Sequence, residues 1–151
     1  MLTMHAVVRK HDPCRRLSFI HTLIGLMLSV AAVGVQALEA LQVRQVAPGV
    51  FLFQGEVAEQ DARNLGAISN LGFIVGSRCV AVIDTGGSPA VGAALRASIR
   101  SKTDLPVCYV INTHAHPDHV LGNSVFADAA RPAGQTAPEF VGHRRLPAAL
   151  A

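Results

Sequence analysis

The stretch INTHAHPDHVLGN, residues 111–123, decides the fold, because it places three histidines and an aspartate directly after an apolar run. The residues before it, LPVCYV (105–110), are mostly apolar and partly β-branched, which predicts a buried strand. Residues two apart on an extended segment point the same way, so His114 and His116 should aim at one point beyond the strand.

The next residues add two further donors to this point. Pro117 suits the first position of a helix, which would place Asp118 and His119 in the first helical turn. Imidazole nitrogens and a carboxylate oxygen are donors that Zn²⁺ prefers at about 2.0–2.2 Å. A single histidine at a strand end is more often solvated or structural, but four such donors within residues 114–119 favour a metal site.

A second polar cluster, DTGG (84–87), also follows an apolar strand. Its first three residues end the stretch LGFIVGSRCVAVIDTG (71–86). The two apolar runs of this stretch are separated by a turn and therefore predict a hairpin. Both clusters lie just after the carboxyl ends of strands. This is the edge at which open α/β sheets bind ligands.

The remaining segments complete an α/β pattern. Apolar residues at helical spacing predict a helix over SPAVGAALRASIRSKT (88–103), with Ser88 as N-cap and Pro89 in the first position. The other elements expected are a strand entered through a Pro-Gly turn in 45–56, an irregular loop over 59–70, a helix shortened or interrupted by Gly122 over 117–130, a short strand in 131–143 and a helix opening in 144–151.

Residues 1–37 read as a secretory signal peptide, and residues 38–151 as the folded part. Basic residues precede an apolar run over 17–35, and small residues end the segment at Ala37. The alternative is a permanent membrane anchor, since the run is long enough to span a bilayer. We expect export, to the periplasm if the source is Gram-negative, with contact to the membrane only through this leader.

Charge and cysteine content narrow the function classes. Four basic residues and one acidic residue precede Leu38, so the leader accounts for the chain's whole net charge of +3. No basic stripe with interleaved aromatic residues remains, which argues against binding of DNA or RNA. Cys79 and Cys108 match no zinc or redox spacing and are expected to be small buried strand residues; export permits a disulfide without indicating one.

At the histidine cluster the sequence resembles the metallo-β-lactamase superfamily, whose H-x-H-x-D-H signature THAHPDH (113–119) matches. The sequence RCVAVIDTGGSP (78–89) and the segments around the cluster resemble most the corresponding segments of the exported quinoprotein relay system zinc metallohydrolases. The resemblance implies a hydrolase acting on a small-molecule ester, thioester or lactam-type bond. It also implies a four-layer αββα sandwich, of which this chain would form the N-terminal half.

The same resemblance implies roles for individual residues. His114 and His116 would bind a first zinc, Asp118 and His119 a second, and Asp118 would also orient the attacking water as a catalytic residue. Asp84 would support the ligands from beside the metals; its alternative role is to form the turn before Gly86 and Gly87, and the two roles are compatible.

The chain departs from the family downstream of the cluster. The family draws a third histidine, a bridging aspartate and a final histidine from later segments. After His119 the histidine in the sequence is His143, which comes too early and is expected to be a surface or packing residue. The acidic residues after His119 are Asp128 and Glu139. The chain therefore reads as the first half of a metallohydrolase, with one sheet face left uncovered and prone to self-association.

Three functions remain open on the sequence. The first is a zinc-dependent hydrolase, and the second is a metal-binding fragment without catalysis. The third is a membrane-anchored protein with an empty site. Zinc content separates the third from the others, and turnover separates the first from the second.

Overall fold

A computed structural model describes residues 39–127 and 136–150. The predicted signal peptide (1–37), the apolar run 17–35 and Asp128 lie outside these ranges. Within them, no helix has the length and apolar character needed to cross a membrane.

Across residues 39–127 and 136–150, six strands form one mixed sheet in the order in which they occur along the chain. The β1–β2, β2–β3 and β3–β4 pairs are antiparallel, whereas the β4–β5 and β5–β6 pairs are parallel. The strands are β1 (Arg44–Ala47), β2 (Val50–Phe53), β3 (Leu71–Val75), β4 (Val80–Ile83), β5 (Val107–Asn112) and β6 (Glu139–Gly142).

In the part of the chain that the structure describes, four helices accompany the sheet: α1 (Pro89–Arg100), α2 (Pro117–Val120), α3 (Asn123–Ala127) and α4 (Leu146–Ala149). Helix α1 begins as predicted, because the Ser88 hydroxyl accepts a hydrogen bond from the Val91 amide and Pro89 occupies the first turn. The helical segment after the histidines is interrupted around Gly122, also as predicted. The α/β fold class expected from the sequence is thus confirmed.

The core lies between α1 and one face of the sheet. Alternate strand residues such as Phe73, Val82 and Val110 are fully buried there against Leu95 and Ile99 of α1. Ser98, a polar residue on the same helical side, is buried because its hydroxyl donates to the carbonyls of Leu41 and Ala94. This packing fixes the crossover that joins β4 to β5.

The opposite sheet face is apolar and open. Ile74 and Tyr109 on this face are 43% and 44% exposed. Strand alternation and register place the following residues there with them: Val50, Leu52, Gly72, Ala81, Ile83, Ile111 and Val141, with the charged residues Arg44 and Glu139 on the two edge strands. The uncovered face inferred from the sequence is therefore present in the described part of the chain.

Two expectations need correction. Residues 44–53 form two antiparallel strands around Pro48–Gly49, where the sequence pattern indicated one strand; the polar residues of β1 are exposed and carry no apolar signal. Cys79 and Cys108 form a disulfide rather than two free thiols. Parallel pairing of β4 with β5 brings the Cα atoms of the two cysteines to 5.8 Å, within the usual range for a disulfide.

Candidate metal centre

The histidine cluster lies where β4 and β5 end side by side. Because these strands are parallel, Asp84 after β4 and Thr113 after β5 meet at one edge of the sheet. The backbone amide of Asp84 donates to the Ile111 carbonyl at 2.9 Å, which continues the strand pairing to this point. The two polar clusters identified in the sequence therefore share one location.

The three histidine rings are grouped. The ring centroid of His114 lies 4.7 Å from that of His116 and 4.0 Å from that of His119. His116 is the N-cap of α2 with Pro117 in the first turn, so Asp118 and His119 occupy the first helical turn as the sequence predicted. The chain thus brings all four predicted donors together.

Asp84 organises this cluster. Its side chain is buried, and its backbone φ is +56°, a left-handed conformation that Asp tolerates better than most residues. Its carboxylate accepts from the amide and hydroxyl of Thr113 at 2.8 and 2.7 Å, and from Nδ1 of His119 at 2.7 Å. Asp84 therefore lies in the turn and hydrogen-bonds to a histidine, which is the geometry that each of the two roles considered for it requires.

The contact with Asp84 directs the other nitrogen of His119 outwards. A carboxylate oxygen only accepts, so Nδ1 of His119 carries a proton, and Nε2 is the nitrogen that would bind a metal. His119 Nε2 lies 3.3 Å from Asp118 Oδ2. Two ligands of one tetrahedral zinc are expected about 3.3 Å apart, given bond lengths of about 2.0–2.1 Å.

The donor atoms therefore fit zinc chemistry, but they do not form a closed set. Across the residues that the structure describes, no three His, Cys, Asp or Glu side chains already stand in an arrangement that would hold a metal ion. His114 and His116 are exposed, and His143 contributes nothing to the cluster. His143 is also exposed, and its Nδ1 accepts from the Arg145 amide at 3.3 Å.

Polar residues that sequence reasoning missed hold α2 and α3 against the strand ends. The Ser69 hydroxyl donates to the Asp118 carbonyl, and the Thr85 amide donates to the His119 carbonyl at 2.8 Å. Asn112 and Asn123 exchange amide hydrogen bonds of 3.2 and 2.9 Å. Among the residues that support the cluster, only Thr113 could have been identified from the sequence, because it lies next to His114. The residues named above contact partners that are distant in the sequence.

Close backbone packing completes the support. A side chain at Gly122 would overlap the Thr85 carbonyl and come within 3.1 Å of the Gly92 Cα in α1. Gly122 also donates its amide to the Gly86 carbonyl at 3.0 Å. The chain between α2 and α3 therefore rests directly on the turn after Asp84 and on α1.

A cleft of about 530 Å³ borders the cluster on one side. Its walls are the segment 54–58 and residues Ser69 and Asn70, and Asp118 and His119 lie along it. The loop over 59–70 is held by Asp61, whose pKa is lowered from its ordinary value by the Asn64 amide and by Arg63. Two of the four predicted donors, Asp118 and His119, therefore border this cleft.

Comparison with known proteins agrees with this architecture. A family model described as "Metallo-beta-lactamase superfamily" matches residues 65–145, more than half of the chain. No protein of curated function matches.

Solved structures share the fold. TMB-1 is 21% identical with a TM-score of 0.53, covering 72% of this chain and 45% of its own. A metallo-beta-lactamase from Hirschia baltica is 16% identical with a TM-score of 0.56, covering 74% and 47%. DIM-1, a metallo-beta-lactamase exposed to ceftazidime, is 17% identical with a TM-score of 0.53, covering 71% and 44%. The chain therefore spans about half the length of these structures.

Proposed function

The chain belongs to the metallo-beta-lactamase superfamily, and from that premise we propose that it is the metal-binding portion of a zinc-dependent hydrolase. The observation that carries the proposal is the pairing of buried Asp84 with His119, which turns Nε2 of that histidine towards Asp118. A histidine held by a carboxylate through one nitrogen is a common arrangement for a zinc ligand. The substrate is a small molecule with an ester, thioester or lactam-type bond.

Each donor has a place in this proposal. His114 and His116 would hold a first zinc, and Asp118 and His119 would hold a second. Zinc, when bound, would lower the pKa of a coordinated water towards about 7 and so supply hydroxide at neutral pH. Asp118, whose carboxylate accepts hydrogen bonds, orients the attacking water. Asp84 holds the Nδ1 proton of His119 and keeps that ring in place.

A second candidate function is metal binding without hydrolysis. It is favoured by ligand counting within the described residues, since a catalytic zinc normally has three protein ligands and one open position. His114 and His116 provide two for the first zinc, and the hydrogen bonds and ring contacts of the described residues join exposed His143 to neither of them. If all four donors surround one ion, the position needed by water is filled.

One experiment separates these functions. The full chain is loaded with zinc and assayed beside a version extended by a complete downstream half, with His116→Ala and His143→Ala in each. The hydrolase proposal expects zinc binding by the chain, lost in His116→Ala and retained in His143→Ala, and turnover in the extended version. Absence of zinc binding would contradict both functions, and comparable turnover by the chain alone would contradict the metal-binding alternative.

The narrower family placement and the location are also proposals. The sequence of residues 78–89 supports assignment to the quinoprotein relay system zinc metallohydrolases within the superfamily. The order of basic, apolar and small residues in 1–37 supports export with cleavage after Ala37, with anchoring by 17–35 as the alternative. In a Gram-negative host, N-terminal sequencing of periplasmic protein should start near Leu38. An intact Met1 on cytoplasmic protein would contradict export.

A further inference from the structure

We propose that Thr113 is a positioning residue whose hydroxyl connects His114 to the carboxylate of Asp84. Through this connection one buried carboxylate sets the proton position on two histidines. The consequence for zinc rests on the proposed function, whereas the proton positions follow from hydrogen bonds between the chain's own residues.

The argument begins with the single proton of the Thr113 hydroxyl. Its oxygen lies 2.7 Å from Asp84 Oδ2 and 2.9 Å from Nδ1 of His114. The carboxylate can only accept, so the hydroxyl proton goes to Asp84. The hydroxyl must then accept its second hydrogen bond, which requires that Nδ1 of His114 carry a proton.

The same carboxylate oxygen accepts a hydrogen bond directly from His119, since Nδ1 of His119 lies 2.7 Å from Asp84 Oδ2. His114 and His119 therefore both carry a proton on Nδ1, and Nε2 is in each case the nitrogen that would bind a metal. His114 is assigned to the first zinc and His119 to the second. Asp84 thus sets the proton position on one proposed ligand of each metal, on His119 by direct contact and on His114 through Thr113.

Thr113 is well placed to act by its hydroxyl alone. It is exposed, so its methyl group adds little to the core. Its backbone amide donates to Asp84 Oδ1 at 2.8 Å, and a side-chain substitution leaves this bond in place. Removal of the hydroxyl should therefore release His114 while Asp84 and His119 stay paired.

The test uses the metal-free full chain with ¹⁵N-labelled histidine at mildly alkaline pH, where NMR distinguishes protonated from unprotonated ring nitrogens. Thr113→Val removes the hydroxyl at nearly the same volume, and Thr113→Ser retains it. Thr103→Val is the matched control, since the Thr103 hydroxyl accepts only from the nearby Leu105 amide among its described bonds. The His119 signal is an internal reference in every variant.

The expected result is Nδ1 protonation of both His114 and His119 in the unmodified chain. Thr113→Val should abolish the Nδ1 preference of His114 only, and Thr113→Ser should retain it. Unchanged His114 signals in Thr113→Val would overturn the proposal. So would loss of the His114 preference in Thr103→Val, because the effect would then not be specific to Thr113.

Zinc affinity, measured by competition with a chelator, is the second readout. Thr113→Val should weaken it by about 10-fold, as expected for loss of a partner to a metal-binding histidine, and Thr113→Ser should restore it. An unmodified chain that binds no zinc would refute the proposed function while the NMR result still decides the role of Thr113. Unweakened zinc binding in Thr113→Val would refute the positioning role towards metal.

Discussion

The carboxylate of Asp84 lies 2.7 Å from Nδ1 of His119, although 35 residues separate the two in the chain. The contact forms because β4 and β5 are parallel neighbours whose carboxyl ends meet. Asp84 also accepts two hydrogen bonds from Thr113. One buried side chain therefore links the ends of β4 and β5 to the first turn of α2.

Asp84→Ala should weaken zinc affinity by about 10- to 100-fold in the complete enzyme, because His119 loses the partner that orients it. It should also lower the free energy of unfolding by about 1–3 kcal/mol, since buried donors lose their acceptor. Isothermal titration with zinc and urea denaturation measure the two effects. Asp104→Ala, a change in the loop after α1, is the control for loss of a carboxylate. Unchanged zinc affinity with an intact fold would leave Asp84 with a turn role alone.

Reduction of the Cys79–Cys108 disulfide should lower the free energy of unfolding by about 2–4 kcal/mol. The bond closes a loop of 29 residues in sequence separation and thereby restricts the unfolded chain. Urea denaturation with and without a reductant measures the difference. The double variant Cys79→Ser, Cys108→Ser should match the reduced protein and no longer respond to reductant. A reductant-insensitive midpoint in the unmodified protein would contradict the bond.

Gly122→Ala should destabilise the fold by about 1–3 kcal/mol, because the added methyl group overlaps the Thr85 carbonyl and crowds Gly92. Leu121→Ala is the neighbouring control. Leu121 is 49% exposed, so its truncation should change stability by less than about 0.5 kcal/mol. Thermal unfolding of both variants measures the contrast, and equal stabilities would show that the packing is looser than described.

The described chain should self-associate through its open sheet face, with a second copy as the occupant. The face is apolar, and the part of the chain after the leader has no net charge to oppose association. Size-exclusion chromatography with light scattering should show a mass that rises with concentration. Ile74→Lys should reduce it, while Val57→Lys, on a fully exposed loop residue, should not. A monomer at all concentrations would contradict this prediction.

Short-range patterns in the sequence determined much of the local structure. The cap at Ser88, the helix start at Pro117 and the interruption at Gly122 depend on residues within one or two turns of each other. The grouping of His114, His116 and His119 was accessible for the same reason, since strand alternation followed by a helical turn places neighbours together. The superfamily signature lies in these same few residues.

Only the tertiary structure decided how that local cluster is supported. The partners of Asp118 and His119 include Ser69, Asp84 and Thr85, which reach them from other strands and loops. The disulfide likewise required the pairing of β4 with β5, and neither cysteine carried a spacing that indicated it. Hydrogen bonds and disulfides depend on distances of a few ångströms between backbone segments. Those distances are set by strand order and helix packing, so no local pattern of residues contains them.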